Sequence, residues 1–243
     1  MTSFRPVSLS AETKSKLANI STATLTSQLI LHGFKNTFLT GIQPLLPNQK
    51  MIGYAVTLRF IPAREDMPAK MTDLSINPQR LAVESLGPDD VLVMDARGEV
   101  RGAVFGDVFG WRMKVLGAAG FVTDGSVRDT AGCKEIGLPI YFKEAQATRS
   151  NIWHHPADWN VLIGCAGVLI EPGDIIVGDA EGVVAIPAHV AESVVNAAHQ
   201  QELREQHVID MVKAGRSTIG IYPAKDATLA EFDAWLQEKR SNQ

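Results

Sequence analysis

The sequence GDVFGWRMKVLGAAGFVTDGSVRD at residues 106–129 decides the fold that we predict for this chain. An apolar run ends before it, and Asp107 then stands at the N-cap position of a helix predicted over residues 108–116. Glycines end this helix, and the apolar residues 121–123 return as a strand. A strand, a helix and a strand in this order predict parallel strands whose carboxyl ends meet at one edge of a sheet.

Four charged side chains fall at the ends of these strands, namely Asp107, Asp124, Arg128 and Asp129. Carboxylates held close together are costly unless a cation neutralises them. Oxygen ligands suit a hard divalent ion such as Mg²⁺ or Mn²⁺, so the pattern indicates a candidate metal site. An alternative interpretation makes the same residues a helix cap, a turn and a surface ion pair.

The start of the predicted helix and the arginine together form a candidate anion site. The backbone N–H groups of Val108 and Phe109 follow Gly106 at a helix N-terminus, which carries a partial positive charge. The planar guanidinium of Arg128 can hold a carboxylate through two hydrogen bonds. A metal ion beside a site that binds a carboxylate can stabilise the enolate formed from a 2-oxo acid.

The composition limits the classes of function. The chain has 243 residues, 45% of them hydrophobic, which is enough for one domain with a substantial core. A net charge of −4 argues against binding nucleic acid, so small molecules are the expected partners. Cys133 and Cys165 lack the spacing of a metal site. Without an apolar signal segment or a run of about 18 apolar residues, we expect a cytoplasmic protein with no membrane partner.

The order of the predicted elements indicates an α/β protein. We predict one domain over residues 1–243, with N-terminal helices in residues 1–45, a β/β/α core in residues 46–187 and C-terminal helices in residues 188–243. Residues 167–187 contain three short strands separated by turns. Such short strands after strand–helix–strand units favour a body of three layers over a simple doubly wound sheet.

At these residues the sequence resembles the RraA-like family, which includes metal-dependent 4-hydroxy-4-methyl-2-oxoglutarate aldolases and the regulator of ribonuclease activity A. The aldolase branch is marked by an aspartate, twenty intervening residues and an Arg-Asp pair, which Asp107 and Arg128-Asp129 match. Blocks such as GPDDVLVMDARG and PGDIIVGDAEGVVAIP extend the resemblance across about residues 17–215. It implies a three-layer β/β/α swivelling-domain fold, phosphohistidine-domain-like, with flanking N- and C-terminal helices.

The resemblance also implies a role for each site residue. Asp129 would be the direct metal ligand, and Asp107 would hold water on the metal. Arg128, with the N–H groups that follow Asp107, would bind a pyruvate-type carboxylate. An acidic residue from the late helix of an adjacent subunit would complete the site, and it falls at Glu205, with Glu202 as a second candidate.

The implied function is that of a divalent-metal-dependent, class II pyruvate aldolase. It would cleave a 4-hydroxy-2-oxo acid to pyruvate, decarboxylate oxaloacetate, and work as a homotrimer or homohexamer with Mg²⁺ or Mn²⁺. The alternative is a non-catalytic regulator that binds a ribonuclease or a helicase. A longer segment at residues 63–80 and an inserted SNIWHHPADWN at residues 150–160 depart from the family pattern and leave the substrate open.

Three further side chains have both a catalytic and a structural interpretation. His154 and His155, in a segment predicted to be a loop, are metal ligands or a general base in the first and packed or solvated residues in the second. Cys133 is either a nucleophile or a small packed residue. The packing interpretation is favoured for all three, and no histidine stands in a turn that would suit a phosphohistidine carrier.

Overall fold

The computed structural model describes residues 6–66, 75–224 and 226–241. The helices are α1 (Ala11–Ala18), α2 (Thr22–Leu31), α3 (Pro78–Glu84), α4 (Asp107–Leu116), α5 (Thr130–Ile136), α6 (Ala191–Lys213) and α7 (Asp226–Ser241). The strands are β1 (Phe38–Leu39), β2 (Gln43–Pro44), β3 (Met51–Pro62), β4 (Asp90–Asp95), β5 (Ala103–Phe105), β6 (Gly120–Thr123), β7 (Ser126–Val127), β8 (Ile140–Phe142), β9 (Glu144–Ala145), β10 (His154–Trp159), β11 (Ile163–Cys165), β12 (Val168–Ile170), β13 (Ile175–Gly178) and β14 (Val183–Ile186).

A large mixed sheet forms the centre of the fold. Within the described residues it has nine strands in the order β1-β14-β13-β3-β4-β6-β8-β2, with β10 also paired to β3. The pairs β3–β4, β4–β6 and β6–β8 are parallel, and the pairs involving β1, β2, β10, β13 and β14 are antiparallel. The predicted α/β class with flanking helices is therefore confirmed.

A small parallel sheet positions the candidate site. Its strands lie in the order β5-β7-β9, and β5 pairs with β7 through Ala103 opposite Ser126 and Phe105 opposite Val127. One residue, Gly106, separates β5 from helix α4, and two residues, Arg128 and Asp129, separate β7 from helix α5. Both helices therefore start from neighbouring strand ends, as predicted for parallel strands. The strand that lies beside β5 is β7, however, because β6 belongs to the large sheet.

Buried side chains on one face of the large sheet anchor these elements. There Phe105 of β5 stacks on Phe121 of β6 with ring centroids 3.9 Å apart, and Met113 of α4 is fully buried in the same cluster. Further along the same face α1, α2 and α6 pack against β3, β13 and β14, because Tyr54, which they cover, lies two residues before Val56 of the first cluster on β3. The opposite face is covered by β11 and β12. Within the described residues, no helix combines the length and apolar character that crossing a bilayer requires.

The helix boundaries follow local signals, with one exception. Ser10 and Ser21 cap α1 and α2 through their side chains, and serine is among the residues preferred at this position. The N-cap of α4 is Gly106 and not Asp107, so that prediction is wrong. Asp107 is the first helical residue, which leaves its carboxylate free of a capping bond and available to the cavity described below.

The prediction of a loop at residues 150–160 is also wrong. A short helical turn at Ser150–Ile152 is followed by β10, which pairs antiparallel with the far end of β3. The strand buries His154 completely. Alternating burial is weak there because both faces of its first half are covered, so the period-two pattern that identifies a half-exposed strand is missing. Residues 67–74 of the segment at 63–80 lie outside the described residues.

Candidate active site

A cavity of about 580 Å³ opens where β5 and β7 end. Its walls come from α3, β5, the start of α4, the end of β7 and the segment before β10. The lining residues are Gln79, Arg80, Ala103, Val104, Phe105, Gly106, Asp107, Val108, Phe109, Arg128, Asp129, Arg149, Ser150 and Asn151. The structure thus brings the predicted residues from Gly106 to Phe109 together with Arg128 and Asp129.

The start of α4 faces this cavity with its backbone donors. Gly106 is extended, with φ −158° and ψ −176°, and no side chain caps the helix. Its carbonyl oxygen accepts the hydrogen bond from Gly110 N at 3.1 Å, as in a regular first turn. The N–H groups of the first turn lack intrahelical acceptors in any α-helix, so this helix start can bind an anion.

The Arg128-Asp129 pair occupies the turn between β7 and α5. The backbone N–H of Arg128 donates to Phe105 O at 2.9 Å, which ties the turn to the end of β5. Asp129 adopts the left-handed conformation, with φ 54° and ψ 38°, and its carbonyl oxygen accepts from Cys133 N to begin α5. A non-glycine residue in this conformation is uncommon and is held by its surroundings, which is typical of functional sites.

The side chains of this pair contact each other at the cavity surface. Arg128 Nε donates to Oδ2 of Asp129 at 2.8 Å, and each side chain is 39% exposed. An ion pair this exposed contributes little to stability. The remaining donors of the guanidinium and the second carboxylate oxygen of Asp129 are therefore available for a ligand.

Two glycines make room for the two carboxylates. A methyl group added at Gly106 would lie 2.9 Å from Oδ2 of Asp129, and one added at Gly132 would lie 2.9 Å from Oδ2 of Asp107. Both distances are shorter than real carbon–oxygen contacts of this kind. The carboxylate at the start of each helix therefore lies close to a glycine at the start of the other helix. A larger side chain at that glycine would displace the carboxylate.

These residues fit a hard divalent cation. The donors are carboxylate oxygens on two facing helix starts, and Mg²⁺ is commonly held by one or two carboxylates together with waters. Asp107 accepts no hydrogen bond from the residues that the structure describes, so both of its oxygens are available. Among those residues there is no cluster of three or more His, Cys, Asp or Glu side chains that could hold a metal. A third protein ligand would have to come from elsewhere.

The two candidate acids on α6 lie apart from this cavity. Glu205 lines a separate, mostly apolar cavity of about 320 Å³ and accepts a hydrogen bond from Gln201 Nε2 at 2.8 Å. Glu202 accepts from Ser21 N at 2.8 Å and from Ser21 Oγ at 2.9 Å, so it caps α2. Each of the two acids therefore has a hydrogen-bond partner within the chain, and the intersubunit role of Glu205 stays a prediction.

Asp124 does not join the site, although the sequence grouped it with the other three charged residues. Its carboxylate is buried and accepts hydrogen bonds from the backbone N–H groups of Ala96, Gly98 and Ala166, at 2.7, 2.9 and 3.2 Å. Burial raises the pKa of this carboxyl, and these bonds oppose that rise. Asp124 thus fastens three loops together.

The histidine pair and Cys133 are packed residues, as favoured from the sequence. His154 Nε2 lies 3.1 Å from Gly102 O, and burial together with nearby Arg97 lowers the pKa of His154. Burial raises the pKa of the Cys133 thiol to about 11, and the charges of Asp107 and Asp129 act in the same direction. The thiol is therefore protonated at neutral pH and is a poor nucleophile.

Sequence reasoning missed two arginines of the cavity. Arg80 lies on α3 with its guanidinium 5.9 Å from the ring centroid of Phe109, and Arg149 precedes the helical turn before β10. No motif spacing connects them to Asp107, because they come from segments far from it in the chain. A weak signal was available, because Arg80 ends one of the two segments that depart from the family pattern and Arg149 directly precedes the other.

Known proteins resemble this chain over most of its length. Residues 18–185 match the RraA-like family, described as Aldolase/RraA. A protein of Halalkalibacterium halodurans, provisionally named a 4-hydroxy-4-methyl-2-oxoglutarate aldolase, is 36% identical over 194 residues, which cover 77% of this chain and 85% of that protein.

Solved structures share the fold. The crystal structure of Streptomyces coelicolor RraAS2, described as an unusual member of the RNase ES inhibitor RraA protein family, is 31% identical with a TM-score of 0.75, over 84% of this chain and 98% of that one. A Pseudomonas syringae protein has a TM-score of 0.75 at 22% identity, over 87% of this chain and 96% of that one, which shows the fold alone.

Proposed function

The chain belongs to the RraA-like family, and we propose that it is a divalent-metal-dependent lyase. Its substrate is a 4-hydroxy-2-oxo acid of the 4-hydroxy-4-methyl-2-oxoglutarate type, which it cleaves to pyruvate and a second carbonyl compound. The observation that carries this proposal is the meeting of Asp107, Arg128 and Asp129 in one cavity beside an uncapped helix start. The provisional aldolase name of the Halalkalibacterium relative supports it.

Each residue has a role in binding. Asp129 and Asp107 hold Mg²⁺ or Mn²⁺, which supplies positive charge at the substrate's keto oxygen when it is bound. Arg128 binds the neighbouring 1-carboxylate through its fork of N–H donors. The backbone N–H groups of Val108 and Phe109 provide further donors for the same carboxylate.

The cleavage step needs a base for the 4-hydroxyl proton. Asp107 accepts this proton through an intervening water while the bond between C3 and C4 breaks. The electron pair of that bond moves to C3 and forms the enolate of pyruvate, and C4 becomes a carbonyl carbon. Protonation at C3 then gives pyruvate. Loss of CO₂ from oxaloacetate leaves the same enolate, so one site can serve both reactions.

We further propose that the site is completed between subunits of a homotrimer or homohexamer. The exposed face of α4 carries Val108, Trp111 and Val115, which are 77%, 50% and 75% exposed, respectively. The cavity beside Glu205 on α6 is apolar and distinct from that face. Contact between two different surfaces of identical chains forms a ring when its rotation closes, and in the ring that we propose Glu205 of one subunit would lie near the α4 start of the next.

Pyruvate release tests the proposed reaction. We expect Mg²⁺- or Mn²⁺-dependent release of pyruvate from 4-hydroxy-4-methyl-2-oxoglutarate and from oxaloacetate. We also expect EDTA to abolish it and added metal to restore it, with a rise in melting temperature on metal binding. The Asp158→Ala variant is the matched control for Asp129→Ala. Asp158 also pairs with an arginine at the surface, but it lies outside the cavity. Turnover that is indifferent to EDTA would exclude the metal mechanism.

Mixing two inactive variants tests the shared site. Asp129→Ala and Glu205→Ala subunits should each be inactive, and co-assembled subunits should recover about a quarter of wild-type turnover, because each site needs one intact residue from each neighbour. Recovery shows that Asp129 and Glu205 act across an interface. If mixed assemblies stay inactive, or if Glu205→Ala alone retains full turnover, Glu205 has no such role.

The similarity to RraAS2 favours a second candidate, a non-catalytic regulator of a ribonuclease or helicase. That function predicts co-purification with such a partner and no metal-dependent turnover, so the same assays separate the two. A cytoplasmic location and the finer assignment as a three-layer swivelling domain also remain proposals.

A further inference from the structure

The candidate cavity contains more positive charge than the proposed reaction uses. Three arginines are among its lining residues, Arg80, Arg128 and Arg149, against two aspartates, Asp107 and Asp129. A divalent cation bound by both carboxylates would take up their charge. Arg128 binds the 1-carboxylate in the proposed complex, so two arginines remain for which the described residues provide no ion pair.

Arg80 is held at the cavity wall by neighbours that leave its charge unpaired. Its backbone N–H donates to the Asn77 side chain that caps α3, and its guanidinium lies against the ring of Phe109 in the first turn of α4. The acid one turn away on α3, Glu84, forms its ion pair with Arg112 at 2.6 Å, and the charge of Arg80 adds to the effect of Arg112 in lowering the pKa of Glu84. Arg80 forms no ion pair with any residue in the described ranges.

Arg149 is placed by its backbone between two cavities. It forms an isolated parallel bridge with Ala103 of β5, and the Ala103 N–H donates to Thr148 O at 2.9 Å. The residue lines the main cavity and also a neighbouring cavity of about 510 Å³, which it shares with Arg128 and Asp129. Like Arg80, it has no ion-pair partner in the part of the chain that the structure describes.

We propose that Arg80 and Arg149 bind a second carboxylate of the substrate, at the end remote from the 2-oxo acid group. This inference rests on the proposed function and identifies the two residues that decide specificity in it. Two exposed arginines in the lining of a site where Arg128 would bind one carboxylate match a dicarboxylate better than a substrate with an apolar end. Arginine suits this role because its planar donors pair with both carboxylate oxygens.

A pair of substrates of nearly equal shape tests the assignment. 4-Hydroxy-4-methyl-2-oxoglutarate and 4-hydroxy-4-methyl-2-oxopentanoate differ in a carboxylate that is replaced by a methyl group. We expect Arg80→Gln and Arg149→Gln to lower kcat/KM for the dicarboxylate by roughly 10- to 100-fold each, mainly through KM. For the methyl analogue we expect a change of less than about threefold.

The controls separate specific binding from general effects. Arg64→Gln removes a surface arginine paired with Asp66 outside the cavity and should leave both substrates unaffected. Arg149→Lys should recover part of the preference for the dicarboxylate, because charge is kept while the paired donors are lost. Equal losses for both substrates, or no loss for either, would overturn the proposal.

Binding measurements test the subsite without any turnover. Calorimetry on the full chain in the presence of Mg²⁺ can compare 2-oxoglutarate with 2-oxopentanoate. Neither compound carries the 4-hydroxyl group that cleavage of the C3–C4 bond requires. Wild type should bind 2-oxoglutarate about tenfold or more tightly, and the Arg80→Gln, Arg149→Gln double variant should bind both equally. If no substrate is turned over but this preference exists and depends on the arginines, the proposed lyase fails and the subsite stands. Without the preference, the subsite is refuted whatever the activity.

Discussion

Asp124 and Asp129 are five residues apart and both follow a strand, yet their carboxylates have different surroundings. Asp124 is 6% exposed and accepts three backbone hydrogen bonds from other segments. Asp129 lies at the cavity surface, where its neighbour Arg128 donates to one of its oxygens. The difference teaches that an aspartate at a strand end becomes structural when backbone N–H groups occupy its oxygens. It is available for chemistry when they do not.

Replacing each of the two aspartates by asparagine should give the largest of the expected effects, on turnover at one position and on stability at the other. We expect Asp129→Asn to lower metal-dependent turnover by roughly 1,000-fold while the melting temperature stays near wild type, because asparagine tolerates the left-handed conformation and the lost ion pair is exposed. Asp124→Asn should instead lower the free energy of unfolding by about 1–3 kcal/mol, because buried N–H groups lose a charged acceptor.

Turnover per folded molecule and chemical denaturation measure the two effects. The folded Asp124→Asn protein should keep most of its turnover. If Asp124→Asn abolished turnover in fully folded protein, or if Asp129→Asn were destabilised as much as Asp124→Asn, the contrast between the two positions would not hold.

Adding methyl groups beside the carboxylates should have an intermediate effect. Gly106→Ala and Gly132→Ala each place a methyl group 2.9 Å from an Oδ2 atom, of Asp129 and Asp107 respectively, and so displace the carboxylates. We expect turnover to fall by about 10- to 100-fold with a small change in melting temperature, because misplacing catalytic groups by about 1 Å is costly. Gly164→Ala is the control, since no atom lies within 4 Å of the methyl group there. Unchanged turnover in both variants would show that the close approach is unimportant.

The smallest expected effect is the contribution of buried His154 to the pH dependence of stability. Burial and Arg97 lower the pKa of this histidine below its ordinary value of 6.5. The unfolded chain then takes up a proton at a higher pH than the folded chain does. Stability should therefore fall as the pH drops below about 6.5 and level off once folded His154 titrates as well.

Denaturation curves between pH 7.5 and pH 5 measure this dependence, and His154→Gln should flatten it. An identical slope in wild type and His154→Gln would show that the burial of His154 has no effect on its titration.

The residues of the site differ in how far they could be predicted. Asp107, Arg128 and Asp129 stand in one stretch of 24 residues, so their spacing and their resemblance to a family motif were enough to group them. Arg80 and Arg149 belong to segments on either side of that stretch and reach the cavity only through the packing of α3 and the bridge to Ala103. No pattern within a short window carries that information.

Local interactions explain what the sequence determined by itself. The caps at Ser10 and Ser21, the ends of α4 and α5 at glycines, and the order of strands and helices depend on dihedral angles and hydrogen bonds within a few residues. These features can be recognised in the sequence without knowing what packs against them.

The tertiary structure alone decided which strands and side chains meet. It placed β7 and not β6 beside β5, turned the predicted loop at residues 150–160 into a strand on β3, and gave the oxygens of Asp124 to three distant backbone groups. Strand pairing and burial depend on contacts between segments far apart in the chain, which no local pattern encodes. For that reason the motif at residues 106–129 could be recognised from the sequence, whereas the charge and shape of the cavity around it could not.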